Sequence, residues 1–235
     1  LEGIALSFGV TKFMYSDYAL REGVLFDTLQ RRDMLNHPEG IDPAMHSVRQ
    51  LADRCDDRPV HAANVAKIAL SLFENLQKRL NLDASCRRYL EAAALLANVG
   101  VVVSHSKHHL HSYYVIRNSE LVGLTDREIE LIAQIARYHR KSVPKPTHPE
   151  FAQLLESDQH IVRSLAAILR IAIGLDRTQD GRIKKVTVRS EDEQLLIYVK
   201  ASAKHDLELN LYAANERRGL LGDLLQTKVK ILASE

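Results

Sequence analysis

The chain has 235 residues, 46% hydrophobic and 26% charged, with a formal net charge of +2. These are ordinary values for a globular protein with a core of its own, and they exclude a polycation built to coat nucleic acid. Only Cys55 and Cys86 occur, which excludes a disulfide framework or a cysteine zinc site.

No apolar run approaches the roughly 20 residues that span a bilayer. The segment Leu1 to Val10 lacks the basic start of a signal peptide. The expectation is a cytoplasmic protein with no membrane contact and no specific nucleic-acid partner. The opening Leu1-Glu2-Gly3-Ile4-Ala5-Leu6 has no initiator Met and reads as the middle of a helix, as though cut from a longer protein.

Residues 1 to 33 read as helix, strand, helix, with Lys12 to Ser16 extended and Leu20, Val24, Leu25 and Leu29 spaced as in a helix. This unit is too small to bury a core alone. Asn36 to Pro43, with Pro38, Gly40 and Pro43, reads as a linker. A long helical region then runs from about Pro43 to Arg177.

Pro59 suits the first turn of a helix reaching about Leu80, with Val65, Ile68, Ala69, Leu72, Phe73 and Leu76 on one stripe. Arg87 to Asn98 is almost entirely apolar and reads as a central helix, with Gly100 placed as a C-terminal cap. Thr125 and Glu128 have the spacing of a capping box opening a helix that ends near His139. Ile161 to Leu175 is a further apolar helix. The tail then changes period: Ile183, Val186 and Val188, and Leu195, Ile197 and Val199, read as two strands joined by Ser190 to Glu193. Asp206 to Leu225 reads as one helix, and Val229 to Leu232 as a last strand. The expected fold class is mainly α, a helical bundle followed by a small α+β part, with boundaries at 1–35, 36–180 and 181–235.

Six of the 11 histidines lie between His105 and His148, beside Lys107, Arg137, Arg140, Lys141 and Lys145, so an anion site is to be sought there. The stretches His61 to Ala66, Leu95 to Gly100, Ser104 to Tyr113, and Arg137 to Lys141 with Leu175 to Arg177 carry the candidate chemistry. Each also has a plain structural reading. A helical histidine is usually a hydrogen-bonded structural residue, and Arg140 and Lys141 at a helix end complement its dipole. His108 and His109 diverge by about 100° on a helix, so both cannot face one point.

The order His61, a helix closing in Val99-Gly100, then His111, His139 and Asp176 resembles the HD-domain phosphohydrolases, where a His-Asp pair ends the central helix and helps hold divalent metal. The match narrows on Ser16 to Asp27 (SDYALREGVLFD), Ser104 to Tyr113 (SHSKHHLHSY), Arg137 to Lys141 (RYHRK) and Leu169 to Arg177 (LRIAIGLDR). These segments are similar to those of the exopolyphosphatase and guanosine-pentaphosphatase (Ppx/GppA) family. That resemblance implies an HD-like helical domain over 36–180. It also implies a preceding actin-like phosphatase module, of which residues 1–35 would be the final part. The missing module would remove terminal phosphate with magnesium, so no catalytic residue carries over and no cofactor is expected in this chain.

The chain departs from the resemblance where the metal pair would stand: Ala97 offers no ligand atom and Asn98 no charge. His61, His111, His139 and Asp176 could still form a tetrahedral set. The stronger expectation is a degenerate site with no metal. Lys107, His108, Arg137, Arg140, Lys141 and Arg177 are the candidates for binding polyphosphate or guanosine pentaphosphate. An accessory, polyanion-binding and homodimerising domain docked to its own N-terminal phosphatase module is the leading function. An independent HD-type hydrolase and a purely structural dimerisation module are the alternatives.

Overall fold

The computed structural model describes Val24, Thr28 and residues 42–55, 58–201 and 206–234. The chain divides into two compact units, Leu1–Pro43 and Ala44–Glu235. In the first, Thr28 Oγ1 donates to the carbonyl of Val24 at 2.8 Å. The remainder of the helix, strand, helix expected over residues 1 to 33 lies outside the described residues, as does most of the expected linker. Pro43 itself opens a helix.

The second unit is built on six helices that precede a three-stranded sheet: α1 (Pro43–Cys55), α2 (Pro59–Leu76), α3 (Cys86–Leu96), α4 (His108–Arg117), α5 (Asp126–Arg137) and α7 (Glu156–Leu175), with the single turn α6 (Pro149–Ala152) between the last two. Helix α7 is the axis. Leu165, Ile168, Leu169, Ile171, Ala172 and Leu175 are fully buried in it, and it packs on α2, α3 and α5. Each such large aliphatic side chain contributes roughly 1.5–3 kcal/mol on leaving water. The expected capping box opens α5. Glu128 N donates to Thr125 Oγ1 at 3.3 Å, and Thr125 N donates to Glu128 Oε2 at 2.8 Å. Arg127 then pairs with Asp158 near the start of α7, joining the two helices.

Gly100 has a different role from the expected cap. Helix α3 passes into a 3-10 turn, Val99–Val102, on which α4 packs. A Cβ at Gly100 would stand 2.2 Å from Ser112 N and 2.3 Å from the His108 carbonyl oxygen. The glycine is there because the α4 backbone leaves no space for a side chain.

In the tail, β1 (Ile183–Glu191) and β2 (Gln194–Ala201) form an antiparallel hairpin. Asp192 and Glu193 take φ of 46° and 59°, the left-handed pair of a two-residue hairpin turn. Strand β3 (Lys228–Ala233) lies parallel to β2, with Ile197 opposite Ile231. The parallel return is made by α8 (Glu208–Asn215) and α9 (Gly219–Leu225). Ile183, Val186, Leu195, Ile197, Val199, Val229 and Ile231 join the same hydrophobic core as the helices.

The single helix expected over Asp206 to Leu225 is therefore two. The break follows Asn215, whose Nδ2 donates to the carbonyls of Leu211 and Ile231 and whose Oδ1 accepts from Ile231 N. Arg217 Nη1 donates to the Ala213 carbonyl at 2.6 Å, and Arg218 Nη1 to that of Asn215. Side chains thus satisfy carbonyls at the end of α8 that a continuing helix would use. Helix α8 also crosses α7 closely: a Cβ on Gly174 would meet Ala214 Cα at 2.6 Å. No described helix is long and apolar enough to cross a membrane.

Candidate functional site

The residues singled out in the sequence fall into three places. The first is a buried pair. His61, in the first turn of α2, and Asp176, just past α7, are both buried, with His61 Nδ1 2.7 Å from Asp176 Oδ2. Asp176 Oδ1 accepts from Gly181 N at 3.2 Å. The carboxyl group therefore has a partner on each oxygen, as a buried polar group requires.

The second place is the end of α3. Ala97 is buried, with its carbonyl accepting from Ser112 Oγ at 2.8 Å, and that same hydroxyl accepts from Gly100 N at 3.0 Å. Asn98 is half-buried, and its carbonyl accepts from Val101 N at 2.9 Å. Ser112 thus closes the helix end where the resemblance would put a His-Asp pair. The serine is present in the histidine-rich motif, but its role depends on the fold bringing α4 against α3.

In the third place His108 and His139 stack, ring centroids 5.3 Å apart and Nε2 atoms 3.3 Å apart. The His139 Nδ1 lies 2.7 Å from the Ala136 carbonyl and the His108 Nδ1 lies 3.1 Å from that of His105. The Ala136 carbonyl takes the His139 Nδ1 proton, leaving the His139 Nε2 to accept. Arg140 Nη1 lies against the His108 ring, 3.1 Å from Nδ1 and 3.3 Å from Nε2. Burial pushes the His139 imidazole down to about 3 and the His109 imidazole down to about 4, with neighbouring cations adding to it; His108 is also lowered, chiefly by burial. These rings are neutral at pH 7, so His108 brings no positive charge to an anion. The ring of His111, half-buried, joins neither His61 with Asp176 nor His108 with His139.

A divalent metal does not fit these residues. His61 and Asp176 engage each other, Ala97 has no donor atom, and Arg140 lies against the His108 ring. Among the described residues no group of three or more His, Cys, Asp or Glu side chains could hold a metal ion.

The expected anion ligands divide by geometry. Arg137 pairs with Glu150 at 2.8 Å and lies over the rings of Tyr113 and Tyr138, so its charge is already engaged. Lys107 and Lys141 are exposed, both with left-handed backbone. Arg140 and Arg177 both lie within electrostatic reach of Arg217, and Arg217 within that of Arg170, two arginines that the sequence did not single out. Arg170 Nη1 and Nη2 donate to the carbonyls of Tyr138 and Lys141, clamping the end of α5. Burial lowers the affinity of the Arg217 guanidinium for its proton, and the charges of Arg177 and Arg140 lower it further, while Glu216 works the other way. Arg170 is lowered by burial and then by Arg217. Among the described residues no ion pair joins any of these four to a carboxylate. Arg217 is thus repelled by Arg140 and Arg177 and itself acts on Arg170, and with Arg177 exposed the group is disposed to take an anion.

Fold and site together define a helical domain that presents Arg177 to solvent beside a closed, hydrogen-bonded polar core. Residues 45–218 match the family described as Ppx/GppA phosphatase, domain III, and the chain belongs to that family. The guanosine-5'-triphosphate,3'-diphosphate pyrophosphatase of Pseudoalteromonas atlantica is 26% identical over 215 residues, covering 90% of this chain and 41% of that protein. The protein of the same name from Pseudoalteromonas translucida is 26% identical over 191 residues, covering 80% of this chain and 36% of its own length. The chain spans about two-fifths of the length of these curated relatives.

Proposed function

We propose that this chain is the accessory helical part of a Ppx/GppA-type phosphatase, holding a polyanionic substrate while an N-terminal module removes its terminal phosphate. Polyphosphate and guanosine pentaphosphate are the substrate classes; the names of the relatives favour the second. Magnesium would act in that module. His61, Ala97, Asn98, His111, His139 and Asp176 would then be a degenerate HD-like site kept for its packing and hydrogen bonds. A cytoplasmic homodimer completes the proposal.

The observation that carries this reading is the gathering of Arg140, Arg170, Arg177 and Arg217 without a paired carboxylate. Polyphosphate and guanosine pentaphosphate are each titrated into the chain at low and at raised salt. Binding should weaken steeply with salt, and Arg177→Ala with Arg217→Ala should cost about tenfold and flatten the salt slope by roughly one per charge removed. The isolated chain should release no phosphate. Absence of binding at low salt would defeat the proposal.

A further inference from the structure

A second cationic place lies at the junction of α2, the start of α3 and the start of β1, sharing no residue with the guanidinium group. It is a cleft of about 290 Å³ with apolar walls from Ile68, Leu70, Ile183 and Val186, carrying Lys67, Arg87, Lys184 and Lys185, with Glu74 as the one carboxylate. Its size is at the small end of ligand clefts. Arg87 is half committed to Glu91, 3.5 Å away on its own helix. The three lysines are exposed and, among the described residues, have no ion-pair partner.

The strand is built to place two of them together. Neighbouring residues of a regular strand point to opposite faces, so Lys184 and Lys185 should not line one cleft. Here the register with β2 slips: Ile183 stands opposite Ala201 and Lys185 opposite Lys200, leaving Lys184 as the extra residue of a bulge. The burial pattern shows the result, with Ile183 and Val186 inward and both lysines outward between them. A bulge re-aims side chains at the expense of ladder pairing and recurs beside functional sites. Lys67 and Glu74 are seven residues apart on α2 and so share one face, opposite the bulge. Burying both Ile183 and Val186 turns the two intervening residues outward together, and that both are lysines gives this side of the cleft its charge.

We infer that this cleft is a second anion site, taking a short oligophosphate or the phosphate groups of a larger ligand between the α2 lysine and the β1 bulge. The lysines supply compact charges without fixed direction, suited to a flexible chain of phosphates rather than to one planar carboxylate. Glu74 bounds the site on one side by repelling the anion.

Amine acylation of the whole chain, read residue by residue by mass spectrometry, locates the site directly. With tripolyphosphate as the probe, labelling of Lys67, Lys184 and Lys185 should slow by about threefold or more, while Lys78 and Lys228 react unchanged. Lys184→Glu with Lys185→Glu, both exposed, should abolish protection at Lys67 without loss of folding. In Arg177→Glu the lysine protection should persist, so this site and the arginine group can fail separately. Equal labelling with and without probe would overturn the inference. So would equal protection by sulfate at matched ionic strength, or loss of protection in Arg177→Glu.

Discussion

Ser112 closes the end of α3: its hydroxyl donates to the Ala97 carbonyl at 2.8 Å and accepts from Gly100 N at 3.0 Å, with no exposure to water. Ser112→Ala leaves one buried donor and one buried acceptor without a partner, at about 1–3 kcal/mol. Urea denaturation should show that loss in the midpoint with an unchanged slope. A shift below about 0.5 kcal/mol would mean that water replaces the hydroxyl.

Gly100→Ala acts on the same contact from the other side. Its methyl would overlap backbone atoms of α4 rather than the end of a movable side chain. The expected cost is about 3 kcal/mol or more, read as a large fall in thermal midpoint or failure to fold. Val99→Ala, which only creates space in the same turn, should be the milder of the two.

Removing either member of the buried His61 and Asp176 pair should cost about 1–3 kcal/mol, because the other loses its buried hydrogen bond. The double change His61→Leu with Asp176→Leu should cost less than the sum of the single changes. An additive pair would show that the two do not depend on each other. Ala97→His should also destabilise the protein, by about 1–3 kcal/mol, since Ala97 is packed at 1% exposure.

Acid should weaken the protein before its carboxylates titrate. As pH falls through 6.5 an unfolded chain protonates its histidines, whereas folded His139 stays neutral to about 3 and His109 to about 4. The unfolded state then binds more protons, so stability falls with pH, for His139 by up to about 1.4 kcal/mol per pH unit. Glu128 and Glu150, held below their ordinary 4.5 by hydrogen bonds from Thr125 and Arg137 together with nearby arginine charge, add their losses only below that value. Urea midpoints between pH 6.5 and 5 should decline in the wild type and decline less in His139→Gln. Equal slopes would assign the loss elsewhere.

What could be read in the sequence was local. Thr125 with Glu128 announced the start of α5, the apolar run ending at Leu175 announced α7, and the spacing of three then two among Ile183, Val186 and Val188 already carried the bulge at Lys184. The arginine group was half visible. Arg140 and Arg177 stand in recognisable motifs, but Arg170 is a lone arginine on an apolar helix and Arg217 lies in the turn between α8 and α9, and only the packing of α8 on α7 brings them in. The break after Asn215 was equally hidden, because its cause is a hydrogen bond to Ile231, 16 residues on. His108 was placed among the cations from composition alone; burial against His139 makes it neutral.

Gly174 lies three residues before Arg177, and Ala214 three before Arg217. The two small residues therefore act as a spacer gauge, with the α7 and α8 backbones touching where no side chain intervenes. Widening that contact by one methyl would carry the two guanidiniums apart and ease their repulsion. The strength of a surface charge site would in this way be calibrated from inside the core, by an atom that is missing.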